Sequence, residues 1–299
     1  MRTGVCTTDF EHAGTTLPNA DALFAKIRDL GFSCVQFAFS SIRESAFVPD
    51  GELEIPAEIL PETVSAAGES AAKYGLPIRV INGTFNMAHP EEAVRKEGLR
   101  RIELLFAAAR ELGVPYVSLC SGTRNRAHLW RFSDENDTPE AWDDMLDTVK
   151  RTVELAERYG VTAAVESEAS NIIDTPENAR RLMDTVGSEH LKMILDCANL
   201  FGAGHAHPGE VLPTLQHAFD VFGHDIVIAH GKDIREGDGI EFCGTGRGIV
   251  DFAFTASKLR EYNFSGDMFL HGIYDETDMP RALAFWQNAE KQGTFIHNI

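Results

Sequence analysis

The stretches VTAAVESE (161–168), KMILDCANL (192–200), IVIAHGKD (226–233) and DMFLHGIYDE (267–276) each pass through apolar residues and stop at a carboxylate or an imidazole: Glu166, Asp196, His230 and His271. Apolar runs of this length suit strands buried on both faces, as in parallel sheets covered by helices. Parallel strands closed into a barrel bring their carboxyl ends to one mouth, so groups distant in sequence converge. Carboxylates and imidazoles together form a coordination set for one divalent ion such as Mn²⁺, Co²⁺, Zn²⁺ or Fe²⁺.

Working outward, strand-type runs at 2–8, 33–39, 77–82, 115–120, 161–166, 191–196, 225–230 and 267–271 alternate with amphipathic helical stretches. The gaps between them are long enough for the crossovers that parallel neighbours require. Helix punctuation agrees. Asn19 can N-cap NADALFAKIRDLGF, which stops at Gly31, and Gly113 and Gly160 end the next clear helices. No Pro/Gly/Ser linker divides the chain, which predicts a single α/β domain over 1–299 folded as a (β/α)₈ TIM barrel. An open doubly wound sheet would gather its ligands at one switch point, whereas these lie on several successive strands.

The chain has 299 residues and a formal charge of −19. That balance provides no basic footprint for nucleic acid, and the acidity reads as a solvated helical exterior. Five cysteines without a C-x-x-C spacing read as reduced thiols. The N-terminus lacks the apolar region of a signal peptide, and no apolar run approaches the ~18 residues of a membrane span. The expected setting is cytoplasmic, without a membrane partner.

Singly, each candidate has an ordinary reading as an exposed strand-end acid, a turn-capping Asp or a satisfied His; together they gain weight. Glu168 follows Glu166 by two residues, so alternation would point both to one side if the strand continued. Asn199 in LDCANL is placed to bond a substrate hydroxyl, and Lys232 and Arg235 in AHGKDIR to hold anionic or hydroxyl groups. Asn86 and His89 in GTFNMAHP, and Trp130 in GTRNRAHLWR, follow the third and fourth strands and are expected to line the mouth. The remaining histidines, His12 among them, read as loop residues. GTGRG (244–248) lacks the Lys and Ser/Thr that follow in a phosphate-cradling P-loop and reads as a flexible turn. No G-x-S-x-G supports a nucleophilic triad.

With these residues in order, the chain resembles the sugar phosphate isomerase/epimerase family with a xylose isomerase-like TIM barrel. The carrying features are Glu166, Asp196 in LD-x-x-N-L, His230 in H-x-K-D, and a ligand position on strand eight. The resemblance implies one divalent ion held by Glu166, Asp196 and His230. A Glu usually completes that set from strand eight, where this chain has His271, and a His often stands where this chain has Asn199. Related ketose epimerases use strand-five and strand-eight Glu residues to exchange a proton on opposite substrate faces.

The expected activity is therefore a metal-dependent isomerase or epimerase of a sugar or sugar derivative, with metal ligands Glu166, Asp196, His230 and His271. Proton removal beside a polarised carbonyl would fall to Glu166 or Glu168, and proton return to His271 or Lys232. Loss of a β-hydroxyl from the same intermediate would instead make the enzyme a dehydratase or lyase. A metal-dependent endonuclease and an inactive binding barrel rank lower. The expected partner is a small carbohydrate or polyol, and pairing into a homodimer is the expectation for acidic barrels of this kind.

Overall fold

The strands predicted from apolar runs form a closed barrel. The computed structural model describes residues 1–49 and 53–296, so 50–52 and 297–299 of the single domain expected over 1–299 lie outside the described residues. The barrel strands are β1 (Thr3–Cys6), β2 (Cys34–Phe37), β3 (Ile78–Asn82), β4 (Tyr116–Cys120), β5 (Thr162–Glu166), β6 (Leu191–Asp196), β7 (Ile226–Ile234) and, after a short β8 (Phe242–Gly244), β9 (Asp267–Leu270). Each pairs in parallel with its neighbours, and β9 closes the ring between β7 and β1. The principal outer helices are α2 (Ala20–Asp29), α3 (Pro61–Tyr74), α4 (Glu92–Leu112), α5 (Pro139–Tyr159), α6 (Pro176–Val186), α7 (Pro208–Phe222), α8 (Phe252–Glu261) and α9 (Met279–Ile296), while α1 (Thr8–His12) is a single turn above the mouth. Asn19 caps α2 by accepting from the Ala22 N–H at 3.0 Å, and Gly113 and Gly160 end α4 and α5 in the left-handed conformation.

Two boundaries depart from the sequence expectation. The first strand stops at Cys6 rather than residue 8, because the chain turns at once into α1. The seventh continues to Ile234 rather than ending at 230, because its last residues pair antiparallel with β8 as a hairpin above the barrel rim. The GTGRG run, expected to be a flexible turn, begins in β8. Its remaining backbone is pinned by buried Asp233, which accepts from the N–H groups of Gly246 and Gly248 at 3.0 and 2.8 Å.

Most of the core lies between the strands and the surrounding helices. A second buried cluster plugs the barrel itself, built from Cys6, Cys34, Val80, Ala164, Ile194, Ile228 and Phe269. Gly4 makes room for it: a Cβ there would lie 2.6 Å from the Phe269 ring. Side chains in a strand repeat every second residue, so the residue two places beyond a plug residue faces the same interior, one layer higher. That step leads from Cys34 to Gln36, Val80 to Asn82, Ala164 to Glu166, Ile194 to Asp196, Ile228 to His230 and Phe269 to His271. The apolar plug thus supports a polar layer at the mouth.

Candidate metal centre and cavity

Glu166 and Asp196 end β5 and β6, His230 stands level with them within the adjacent β7, and Asp196 and His230 are direct partners in the β6–β7 register. Their potential ligand atoms all lie within 4.8 Å of one another, a grouping of His, Cys, Asp and Glu that is unique among the described residues. His230 Nδ1 lies 3.0 Å from Glu166 Oε1 and 3.7 Å from Asp196 Oδ2. All three side chains are buried.

A polar chain fixes which His230 nitrogen faces the carboxylates. Ser118 Oγ donates to Asn82 Oδ1 at 3.1 Å, and Gln36 Nε2 donates to Ser118 Oγ at 3.5 Å. The Gln36 Oε1 atom is thereby turned toward His230 Nε2, 2.9 Å away. An amide oxygen only accepts, so Nε2 carries the proton and Nδ1 presents its lone pair to Glu166 and Asp196. Two acceptors facing each other call for a proton or a cation between them.

Asp196 adds a second indication. Its Oδ1 accepts from the Ala198 and Asn199 N–H groups at 2.9 and 3.2 Å, while its buried Oδ2 has no hydrogen-bond partner. A buried carboxylate oxygen left bare is costly unless it meets positive charge. Lys232 Nζ supplies some, 3.5 Å from Oδ2 and 4.0 Å from the centre of the Phe242 ring. Burial works to raise the Asp196 pKa, yet Lys232 and His230 outweigh it and hold the group well below the usual carboxylate range. Burial opposes protonation of His230, but Glu166 and Cys6 push its pKa well above the ordinary imidazole value. The cluster therefore favours a cation, and its nitrogen and oxygen donors fit a divalent ion.

The cluster opens into a cavity of about 320 Å³ lined by, among others, Glu168, Asn199, Lys232, Trp130, His271 and Tyr274. Glu168 lies beyond the end of β5 and outside the cluster, its carboxylate touching Ser170 at 3.3 Å. Its pKa is raised to about 7, first by burial and then by Glu166 and Asp196, against the opposing pull of Lys232. The buried Oδ1 atom of Asn199 has no partner among the described residues. Trp130, 37% exposed, forms part of the rim and donates from Nε1 to Glu54 at 2.8 Å.

His271 lines the cavity beside the three-residue cluster, with its Nδ1 2.9 Å from Asp9 Oδ1. Three residues expected at the substrate are absent from the lining. Asn86 is buried behind the wall, where its Oδ1 accepts from the Thr123 N–H at 2.9 Å. His89 Nδ1 accepts from the Glu91 N–H at 3.1 Å, at the start of α4. Arg235 is exposed beyond the rim and pairs with Glu241 at 2.8 Å. The cavity also contains Gln36, Asn82, Ser118, Glu54 and Phe242, which were not singled out in the sequence, and His12, read there as a loop residue, lines it from the end of α1. A lone amide within the apolar run around CVQF is the one signal that pointed to Gln36.

The family described as a xylose isomerase-like TIM barrel matches residues 24–289. The chain belongs to that family. One relative, the L-ribulose-5-phosphate 3-epimerase UlaE of Salmonella heidelberg (strain SL476), is 22% identical over 257 residues, covering 85% of this chain and 82% of its own. Among solved structures, a D-tagatose 3-epimerase-like protein has a TM-score of 0.72 at 19% identity, with 98% of each chain covered. The D-psicose 3-epimerase of Clostridium cellulolyticum H10, solved with D-tagatose, has a TM-score of 0.68 at 16% identity, covering 97% of this chain and 99% of its own. At these identities the structural likeness establishes the family fold. No helix of the described residues is long and apolar enough to cross a membrane.

Proposed function

We propose that this chain is a divalent-metal-dependent isomerase or epimerase acting on a small sugar. The observation that carries this reading is the buried Oδ2 atom of Asp196, which has no hydrogen-bond partner and stands beside Glu166, His230 and Lys232 at the floor of a cavity of monosaccharide scale. The names of the relative and the two solved structures described above, sugar 3-epimerases or a protein like one, agree with it.

Glu166, Asp196 and His230 would hold the ion, and Mn²⁺, Co²⁺, Zn²⁺ and Fe²⁺ all accept their donor set. Such an ion, when bound, supplies Lewis acidity that favours negative charge on a substrate carbonyl oxygen. Glu168, close to the cluster but free of it, is placed to remove the proton from the neighbouring carbon. His271 stands three strands further around the ring of eight, on a different wall, and is placed to return a proton there. Return to the same carbon from the other face gives an epimer; return to the adjacent carbon gives an isomer. Lys232 brings a fixed positive charge to the developing oxyanion. The unpartnered Oδ1 atom of Asn199 accepts a substrate hydroxyl, and the Trp130 ring offers an apolar face at the rim.

The test is metal content by mass spectrometry on protein purified without chelator, alongside Glu166→Gln, with turnover of ketoses followed in both. The reading expects one ion per chain, lost in the variant, and a product of equal mass that the variant does not form. A product lighter by one water would make the enzyme a lyase. No metal after reconstitution would overturn the proposal.

A further inference from the structure

Asp9 is a fully buried carboxylate in α1, away from the metal cluster, and its acceptor capacity is directed at one end of the barrel. Its Oδ1 lies 2.9 Å from His271 Nδ1 and accepts from the Gly272 N–H at 3.2 Å. Its Oδ2 accepts from the Ile273 N–H at 3.0 Å. Gly272 permits this turn: it has φ of +72°, and a Cβ there would lie 2.8 Å from the Lys232 side chain. The loop after β9 is thus wrapped around the Asp9 carboxylate. A second histidine, His12, holds its Nδ1 3.8 Å from the same Oδ1 and shares the cavity lining.

We propose that Asp9 is the positioning residue of the proton-transfer step: it holds the proton of His271 on Nδ1 and so makes Nε2 the nitrogen offered to the cavity. An ionised carboxylate only accepts, so the nitrogen it faces must carry hydrogen, and the second nitrogen of the ring, which also has Cys6 and the His230 ring beside it, is left to take or give a proton. The His271 side chain is 22% exposed, enough for that nitrogen to meet a ligand. The Asp9 contact also restricts ring rotation, since a flip would leave a buried carboxylate oxygen without the imidazole N–H. This assignment rests on the sugar-isomerising reading of the cavity for its consequence, although not for its geometry.

The same contacts tie the first βα unit to the last, so a loss of activity in Asp9→Asn alone could report a weakened barrel. The experiment therefore combines a direct readout of the ring with a double-mutant cycle. Long-range ¹H–¹⁵N NMR of the metal-free wild-type protein should show Nδ1 of His271 keeping its proton at every pH at which the protein is folded. A ring protonated on Nε2 alone overturns the proposal, and this measurement stands even if Asp9→Asn does not fold. In the metal-loaded enzyme, Asp9→Asn and His271→Asn should each lower kcat by about 100-fold or more, with KM changed only a few-fold, as expected for loss of a positioned acid–base. The double variant should be no slower than His271→Asn. Losses that multiply would show that Asp9 acts independently of His271 and would also overturn the proposal. A wild-type enzyme inactive on every sugar would instead defeat the isomerase reading, while the ring measurement would still decide the role of Asp9.

Discussion

Replacing Gln36 with leucine removes a group that touches no metal ligand atom directed at the ion, yet it should weaken metal binding. In the wild-type protein His230 Nε2 donates to Gln36 Oε1 at 2.9 Å, and Gln36 is itself oriented by Ser118. Leucine is similar in volume, one atom shorter, and has no acceptor. The buried Nε2–H is then left unsatisfied, at a cost of about 1–3 kcal/mol, and the imidazole can exchange tautomer or rotate. Loss of such a supporting hydrogen bond typically lowers metal affinity by about 10–100-fold, equivalent to about 1.4–2.8 kcal/mol. The two estimates agree in size because both measure the preference of His230 for presenting Nδ1 to the cluster. Competition against a chelator of known affinity, with Mn²⁺ or Zn²⁺, measures the difference directly. Gln36→Glu keeps an acceptor toward Nε2–H and should bind at least as tightly as wild type. Wild-type affinity in Gln36→Leu, within about two-fold, would refute the claim that this amide sets the tautomer.

Glu168→Gln should fold and bind metal normally but lose proton removal, lowering kcat by about 100-fold or more in a coupled or NMR assay of turnover. Glu168 must be ionised to act, so wild-type kcat should fall as pH drops through its pKa. The value of about 7 applies without the ion; a bound cation favours the carboxylate, which places the acidic limb at or below that pH. Substrate charge is a further check. Of the arginines near the mouth, Arg124 is tied to Asp144, Arg235 to Glu241 and Arg247 to Asp278, and the charge of Lys232 is already shared with Asp196 3.5 Å away. With Glu54 and Glu168 also in the lining, an unphosphorylated ketose should show a higher kcat/KM than its phosphate ester. Asp233→Asn would place an amide NH₂ against two of the four backbone N–H groups that the carboxylate accepts, from Ile234, Gly246, Gly248 and Val250. We expect a loss of about 3 kcal/mol and a fall in Tm of roughly 5 °C, and a shift under about 2 °C would contradict that role.

Where apolar runs stop at ligand-type side chains, the sequence was readable because two physical patterns coincide. VTAAVE, KMILD and IVIAH are buried apolar runs whose last residue is too polar for the plug below it, so the step from interior to mouth is written in the residue types. The barrel and the Glu166–Asp196–His230 cluster follow from that step. Gln36, Asn82 and Ser118 were harder to see, since an uncharged polar residue within a strand gives little indication of what it supports. Asp9 carried no signal at all: its role depends on contact with His271, 262 residues away, which sequence spacing cannot express. Asn86, His89 and Arg235 lie off the cavity lining for the opposite reason. Polar residues after a strand can line a mouth, cap a helix or pair on the surface, and the backbone path beyond each strand decides which.

The most direct test of the central claim is turnover in deuterium oxide. Metal-loaded wild-type protein and Glu166→Gln are incubated with unphosphorylated ketoses, and the sugars are followed by ¹H NMR and mass spectrometry. The account predicts that the wild type forms an epimer or isomer carrying one solvent-derived deuteron at the carbon that lost its proton, and that Glu166→Gln forms none. Tight metal binding with no deuterium entering any sugar, or equal exchange by Glu166→Gln, would contradict it.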